Sequence, residues 1–230
     1  MKKIPKKLLV GLIAPVVAGV AFLVAYSVAM QRRLPKPGRV ALDGVTTIED
    51  AVEACRRTGL GGWDLVAYAQ HLTARKFTYS RLNTWESPAR AFERGRGFCQ
   101  QQALALQQIY DRLGFEARPV YAFRCRFGAK VVDGIPWPGG ISGHDWLRVK
   151  VAGEERDVCP GAVTNRPGQV NFEVLSKVRP LYSWLQPWWH YLSAIENIRR
   201  DLVGRCSRPA PANERFAPVK AGQESTAPTE

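Results

Sequence analysis

The sequence predicts an α+β fold in which helices come first and pack on an antiparallel sheet, with one membrane-crossing helix ahead of them. Three observations carry this. An uncharged run opens the chain, capped segments of helical periodicity fill residues 47–113, and from Arg118 the apolar pattern switches to period two.

The chain has 230 residues, enough for one domain with a substantial core and extra segments at its ends. Leu8–Met30 is a 23-residue stretch without a charge, long enough to span a bilayer as a helix. Ser27-Val28-Ala29 would suit a cleavable signal peptide, but the length of the run and Arg32-Arg33 just after it favour an uncleaved anchor. Lysines precede it and basic residues follow it, so the charge rule for orientation is nearly tied. The lysine-rich residues 1–7 are hard to translocate, which places the domain outside the cytoplasm.

The formal charge of +13 at first suggests nucleic acid, but its distribution argues against that partner. Lys2, Lys3, Lys6, Lys7, Arg32, Arg33, Lys36 and Arg39 flank the anchor, and no acid occurs among residues 1–39. Five scattered cysteines, an odd number with no C-x-x-C pair, fit neither a disulfide scaffold nor a structural zinc site. No cofactor or metal is expected.

Residues 31–39 read as a stiff linker, because Pro35 and Pro37 cannot continue a helix. Thr47 with Asp50 has capping-box spacing and predicts a helix to about Thr58, closed by Gly59. A second helix is predicted from Trp63 to about Arg75. Ser87-Pro88 starts a third, a hydroxyl cap followed by proline at the first helical position, and Gly95 and Gly97 break it. In the next, Cys99, Ala103, Leu106, Tyr110 and Leu113 form one stripe that puts Cys99 in the first turn, and Gly114 ends the helix.

From Arg118 to Phe127, Tyr121, Phe123, Cys125 and Phe127 fall on one side of a predicted strand. A glycine- and proline-rich loop, Pro136–Gly143, leads to a second strand. There Leu147, Val149 and Val151 alternate with Trp146, Arg148 and Lys150, so His144 lies opposite the apolar set and Asp145 on its side. Ala152-Gly153 predicts a hairpin that returns through Asp157 beside the His144 strand. The predicted organisation is a basic tail at 1–7, a membrane helix at 8–30, a linker at 31–39, the folded domain at 40–161, a helical extension at 162–206 and a disordered tail at 207–230. In the extension, Trp184, Trp188 and Trp189 precede Leu192, Ile195, Ile198 and Leu202 at helical spacing, a pattern for packing on the domain or for lying at a membrane interface.

A thiol is a nucleophile only as thiolate, and a helix N-terminus stabilises that anion. Cys99 has this position. Of three histidines, His71 falls inside a helix and His190 in the tryptophan-rich segment, which leaves His144 as the candidate base. Asp157, one hairpin away, is the carboxylate that could orient it, with Asp145 ranked lower. Trp85 is a further candidate for donating to an oxyanion, after the Cys99 N–H.

The run Gly95-Arg-Gly-Phe-Cys99-Gln-Gln-Gln-Ala103, the later Leu113-Gly-Phe-Glu-Ala-Arg118-Pro-Val120, and His144-Asp-Trp146 followed by Asp157 resemble the signature of the transglutaminase-like superfamily. The resemblance covers about Ser87 to Gly161. It implies a papain-like, transglutaminase-like core and a thiol enzyme with Cys99 as nucleophile, His144 as base and Asp157 as orienting carboxylate. Cleavage or transfer of acyl groups at amide or peptide bonds through a Cys99 thioester is then the expected activity, with a peptide or protein substrate, of the cell envelope if the domain is extracytoplasmic. Hydrolysis is expected ahead of cross-linking. Two departures stand out: Asp145 occupies a position where the family has a small or apolar residue, and Cys159 closely follows Asp157. They leave room for an inactive binding or scaffold domain.

Overall fold

The computed structural model describes residues 6–32, 34, 36, 42–132, 135–137, 139–182, 184, 192 and 195. It is an α+β protein. Helix α1 (Lys6–Gln31, 26 residues) contains Pro15, and the expected membrane span falls within it. The side chains of residues 6–13, 16, 27, 30 and 31 lie outside the described residues. Counted over the described residues alone, no helix is long and apolar enough to cross a membrane.

The domain begins with the helices its caps predict. Helix α2 (Ile48–Arg57) starts at Thr47, whose Oγ1 accepts from the Asp50 N–H at 3.1 Å while Asp50 Oδ2 accepts from the Thr47 N–H at 2.8 Å. This reciprocal pair satisfies two donors that a helix start leaves open. Helix α3 (Gly62–Lys76) runs into β1 (Thr78–Tyr79). Helix α4 (Pro88–Arg94) is capped by Ser87 and stops at Gly95 in the left-handed region, φ 67°. After β2 (Arg96–Gly97) comes helix α5 (Cys99–Leu113), which ends at Gly114 with φ 83°.

The main sheet contains β3 (Glu116–Phe127), β6 (Gly140–Val151), β7 (Glu154–Val158), β8 (Phe172–Val174) and β9 (Arg179–Pro180), with a separate ribbon of β4 (Lys130–Val132) and β5 (Ile135–Trp137) between. Its order is β7-β6-β3-β8, with β9 also on β3, and every pairing is antiparallel. The β6–β7 hairpin turns at Ala152 and Gly153, both at positive φ (49° and 86°), which matches the right-handed twist of the strands it joins. The helical extension expected over 162–206 is corrected in part: residues 172–180 supply β8 and β9 to the domain's sheet. Beyond them only Leu181, Tyr182, Trp184, Leu192 and Ile195 are described, and the disordered tail expected at 207–230 lies outside the described residues.

Two apolar clusters lie on the two faces of the sheet. Val66, Leu106, Ile109, Tyr110, Leu147, Val149 and Val158 fill the space between helices and sheet. Val120, Ala122, Cys125, Trp146, Cys159 and Phe172 pack on the other side. The single-sided set expected in β3 is corrected here. The register shifts between Ala122 and Cys125, so two residues of β3 face one of β6. Tyr121 therefore pairs with Asp145, whereas Cys125 joins the far cluster and Phe123 is 53% exposed.

Candidate active site

The start of α5 is fixed by the segment before it. The Thr78 N–H donates to Gly95 O at 2.9 Å and the Ser80 N–H to Gly97 O at 3.1 Å, which aligns β1 beside β2. Gly97 is required by close approach: a Cβ there would meet Phe77 at 3.0 Å and Gln101 at 3.1 Å. The glutamines after Cys99 then tie the helix to this loop. Gln101 Oε1 accepts from the Phe98 N–H at 3.2 Å, and its Nε2 donates to Asn83 O and Glu86 O, both at 2.9 Å. Gln102 Nε2 donates to Gly97 O at 2.9 Å. Gln100 is wholly buried, and neither of its amide atoms finds a partner among the described residues. Arg94 donates to Glu86 through Nε at 2.8 and 3.0 Å, a buried ion pair beneath the same loop.

Cys99 therefore sits in the first turn of a 15-residue helix, half-buried, at a cavity of about 170 Å³. Its thiol donates to Asp145 Oδ2 at 3.6 Å. Asp145 is 7% exposed, and burial pushes its carboxyl up to about 7, with the Cys99 hydrogen bond pulling the other way. A carboxyl so tuned is part ionised near neutrality, which suits a group that must take and return a proton. Burial pushes the Cys55 thiol up to about 11, and that of Cys125 likewise, with the charge of Asp145 adding to the latter.

Of the expected partners of Cys99, His144 lines the same cavity and Asp157 bonds elsewhere. Strand alternation puts Asp145, Leu147 and Val149 on the helix-facing side of β6 and His144, Trp146 and Arg148 on the other. His144 Nε2 lies 3.3 Å from Cys159 Sγ, and its ring packs against Phe127, Phe172 and Trp146 at centroid distances of 5.1, 4.6 and 6.0 Å. Asp157 shares this face, but its Oδ1 accepts from Trp146 Nε1 and Arg148 Nε, both at 2.9 Å. Its link to His144 thus runs through the stacked indole. Cys99 and His144 border the same cavity, with the thiol bonded to Asp145 and the imidazole beside Cys159, while Asp157 bonds Trp146 and Arg148. Trp85 is 39% exposed and is absent from the described cavity lining.

Sequence reasoning ranks Asp145 below Asp157 although the signal for it is there. Period two already puts it on the side of Leu147 and Val149, the side an apolar helix must cover. Helix α5 covers that side, so its first turn meets Asp145. The Cys159 partnership follows from the same parity, because Cys159 lies two residues beyond Asp157 and on the same face.

No family model matches the sequence, and no curated protein matches it. Among solved structures the chain is similar to a transglutaminase at 16% identity and a TM-score of 0.37, covering 51% of this chain and 31% of that one. It is also similar to a candidate cysteine protease from Cytophaga hutchinsonii at 12% identity and a TM-score of 0.31, covering 66% of this chain and 58% of that one. The chain thus spans about a third of the first and rather more than half of the second. Similarities at these scores carry no argument about the reaction, and the case for it stands on the residues around Cys99.

Proposed function

We propose that this chain is a transglutaminase-like thiol enzyme that cleaves or transfers acyl groups at amide bonds, with Cys99 as nucleophile. The observation that carries the reading is the Cys99 thiol at the start of α5, hydrogen-bonded to the buried Asp145 carboxyl at the edge of a cavity. The motif resemblance adds support from residues on both sides of that contact.

In the step this arrangement favours, Cys99 Sγ attacks the amide carbonyl as its proton passes to the Asp145 carboxylate. A C–S bond forms, and the carbonyl oxygen takes the electron pair. The first N–H groups of α5 have no acceptor within the helix and supply positive potential for the oxyanion and for the thiolate. Collapse breaks the C–N bond, and Asp145 returns its proton to the leaving amine. Water attacking the thioester completes hydrolysis, and an amine in its place completes transfer. Hydrolysis is the simpler outcome because it needs no second substrate.

The expected triad of Cys99, His144 and Asp157 is kept as a variant of this proposal. It requires His144, which lines the same cavity as Cys99, to turn from Cys159 toward the thiol. A second reading, a binding domain without activity, draws on one observation: the imidazole lies beside Cys159 and packs among aromatic rings. Labelling with iodoacetamide at pH 7 separates these readings. The active reading expects Cys99 to react faster than Cys55, Cys125 and Cys159, and Cys99→Ala to abolish amidase activity. Equal rates at all four thiols favour the binding domain.

The membrane anchor belongs to the proposal as well. Helix α1 is about 39 Å long at 1.5 Å per residue, and Val17, Val20, Phe22, Val24 and Val28 on it are all exposed, a surface suited to lipid. With the domain outside the cytoplasm, peptides or proteins of the cell envelope are the substrates within reach. A reporter enzyme fused to the C-terminus tests orientation, and activity in the cytoplasm would reverse it.

A further inference from the structure

The cavity beside Cys99 contains a charge that the proposed reaction does not use. Arg81 borders it together with Cys99, Asp145 and Tyr79. Among the described lining residues Arg81 is the permanent cation. Its Nε–H donates to Tyr79 Oη at 3.3 Å, which orients the guanidinium fork. Arg81 follows directly on the β1–β2 contact: Ser80 bonds Gly97 O, and the Ser80 hydroxyl accepts from the Leu82 N–H at 3.1 Å. The backbone on either side of Arg81 is therefore held by the same hydrogen bonds that fix the turn before Cys99.

A planar fork with parallel N–H donors matches a carboxylate better than any other common peptide group. The cavity, about 170 Å³, is below the size of a drug-sized pocket and takes one side chain or chain end rather than a folded surface. It also contains the Asp145 carboxyl, so a second carboxylate enters against repulsion unless a cation receives it. We infer, on the basis of the proposed function, that the site selects acyl donors with a carboxylate one residue or less from the scissile amide, and that Arg81 is the group that binds it.

The test needs no identified substrate, because two small alkylators differ only in charge. The full chain is treated with iodoacetate and, separately, iodoacetamide, and the rate at Cys99 is followed by peptide mapping. Taking the ratio of the two rates cancels any change in the thiolate fraction. The ratio at Cys99 is expected to exceed that of N-acetylcysteine by roughly five-fold, the size of a half-buried ion pair, and to shrink at high salt. Arg81→Leu should return the ratio to that of the free thiol, and Arg81→Lys should retain most of the preference, which guards against a folding defect in the leucine variant. If Cys99 reacts with both reagents and the ratio is the same in wild type and Arg81→Leu, acid selection is overturned and the thiol reading stands. If Cys99 reacts with neither faster than N-acetylcysteine, the proposed function falls and this inference with it.

Discussion

The two faces of strand β6 divide the protein's chemistry between them. On the helix side, Asp145 is buried, with the Cys99 thiol as its hydrogen-bond donor and no cation bonded to it among the described residues, and it is pushed up to about 7. On the far side, Asp157 is a third exposed and satisfied twice over, by the Trp146 indole and the Arg148 guanidinium. One carboxylate is held in a state ready to exchange a proton, and the other is locked into a bonding role. Their burial and partners differ, although they lie on adjacent strands of one hairpin. Chemistry collects where a polar group is poorly compensated, and structure where it is fully compensated.

Four variants probe this division. Cys99→Ala should lower kcat/KM by at least about a thousand-fold, since a nucleophile has no substitute. Asp145→Asn should lower kcat/KM by about a hundred-fold or more through loss of the proton acceptor. In the wild type the rate should rise with pH through about 7, where the carboxyl ionises, and a flat pH profile would remove Asp145 from the reaction.

The same variant has a stability signature of opposite sense. Asp145 titrates near 3.8 in an ordinary setting and near 7 in the fold, so the folded state holds the proton more tightly. Stability should therefore fall as pH rises between these values, by up to about 4 kcal/mol at 1.36 kcal/mol per unit. Asn cannot ionise, so urea unfolding at pH 5 and at pH 8 should differ less for Asp145→Asn than for wild type.

His144→Ala should cost about 2 kcal/mol through lost packing against Phe127, Phe172 and Trp146 while lowering kcat/KM less than ten-fold. A loss as deep as that of Asp145→Asn would instead bring the imidazole into the reaction and restore the expected triad. The smallest effect is expected of Asp157→Asn: about 1–2 kcal/mol from weakened bonds to Trp146 and Arg148, read as a lower melting midpoint, with little change in rate.

The helices are legible in the sequence because their ends are local chemistry. Thr47 with Asp50, Ser87 with Pro88, and Gly114 each act within one turn, so α2, α4 and α5 begin or end where those residues predict. The β6–β7 hairpin is legible for the same reason, through Gly153. What cannot be read depends on long-range pairing. The bulge between Ala122 and Cys125 reverses the facing of half a strand without any glycine in β3 to announce it. Strands β1 and β2, two residues each, have no periodicity to detect, and β8 and β9 are defined only by the β3 edge they join. At the site, the position of Cys99 in the first turn of its helix is legible. Its hydrogen bond to Asp145 is not legible from the periodicity of β6 alone, because the helix that covers one side of the strand decides which carboxylate the thiol meets.

The Gln101 carboxamide has a consequence for motion. It bonds Asn83 and Glu86 on one side and Phe98 on the other, while Asn83 Nδ2 donates to Arg96 O at 2.7 Å, so residues 78–86 and 94–101 share one set of fasteners. In native-state hydrogen exchange these amides should open together, as one cooperative unit, with protection close to that of α5. The rim that bears Arg81 then cannot loosen to admit a bulkier ligand without also unseating the thiol, which limits this site to what enters its closed form.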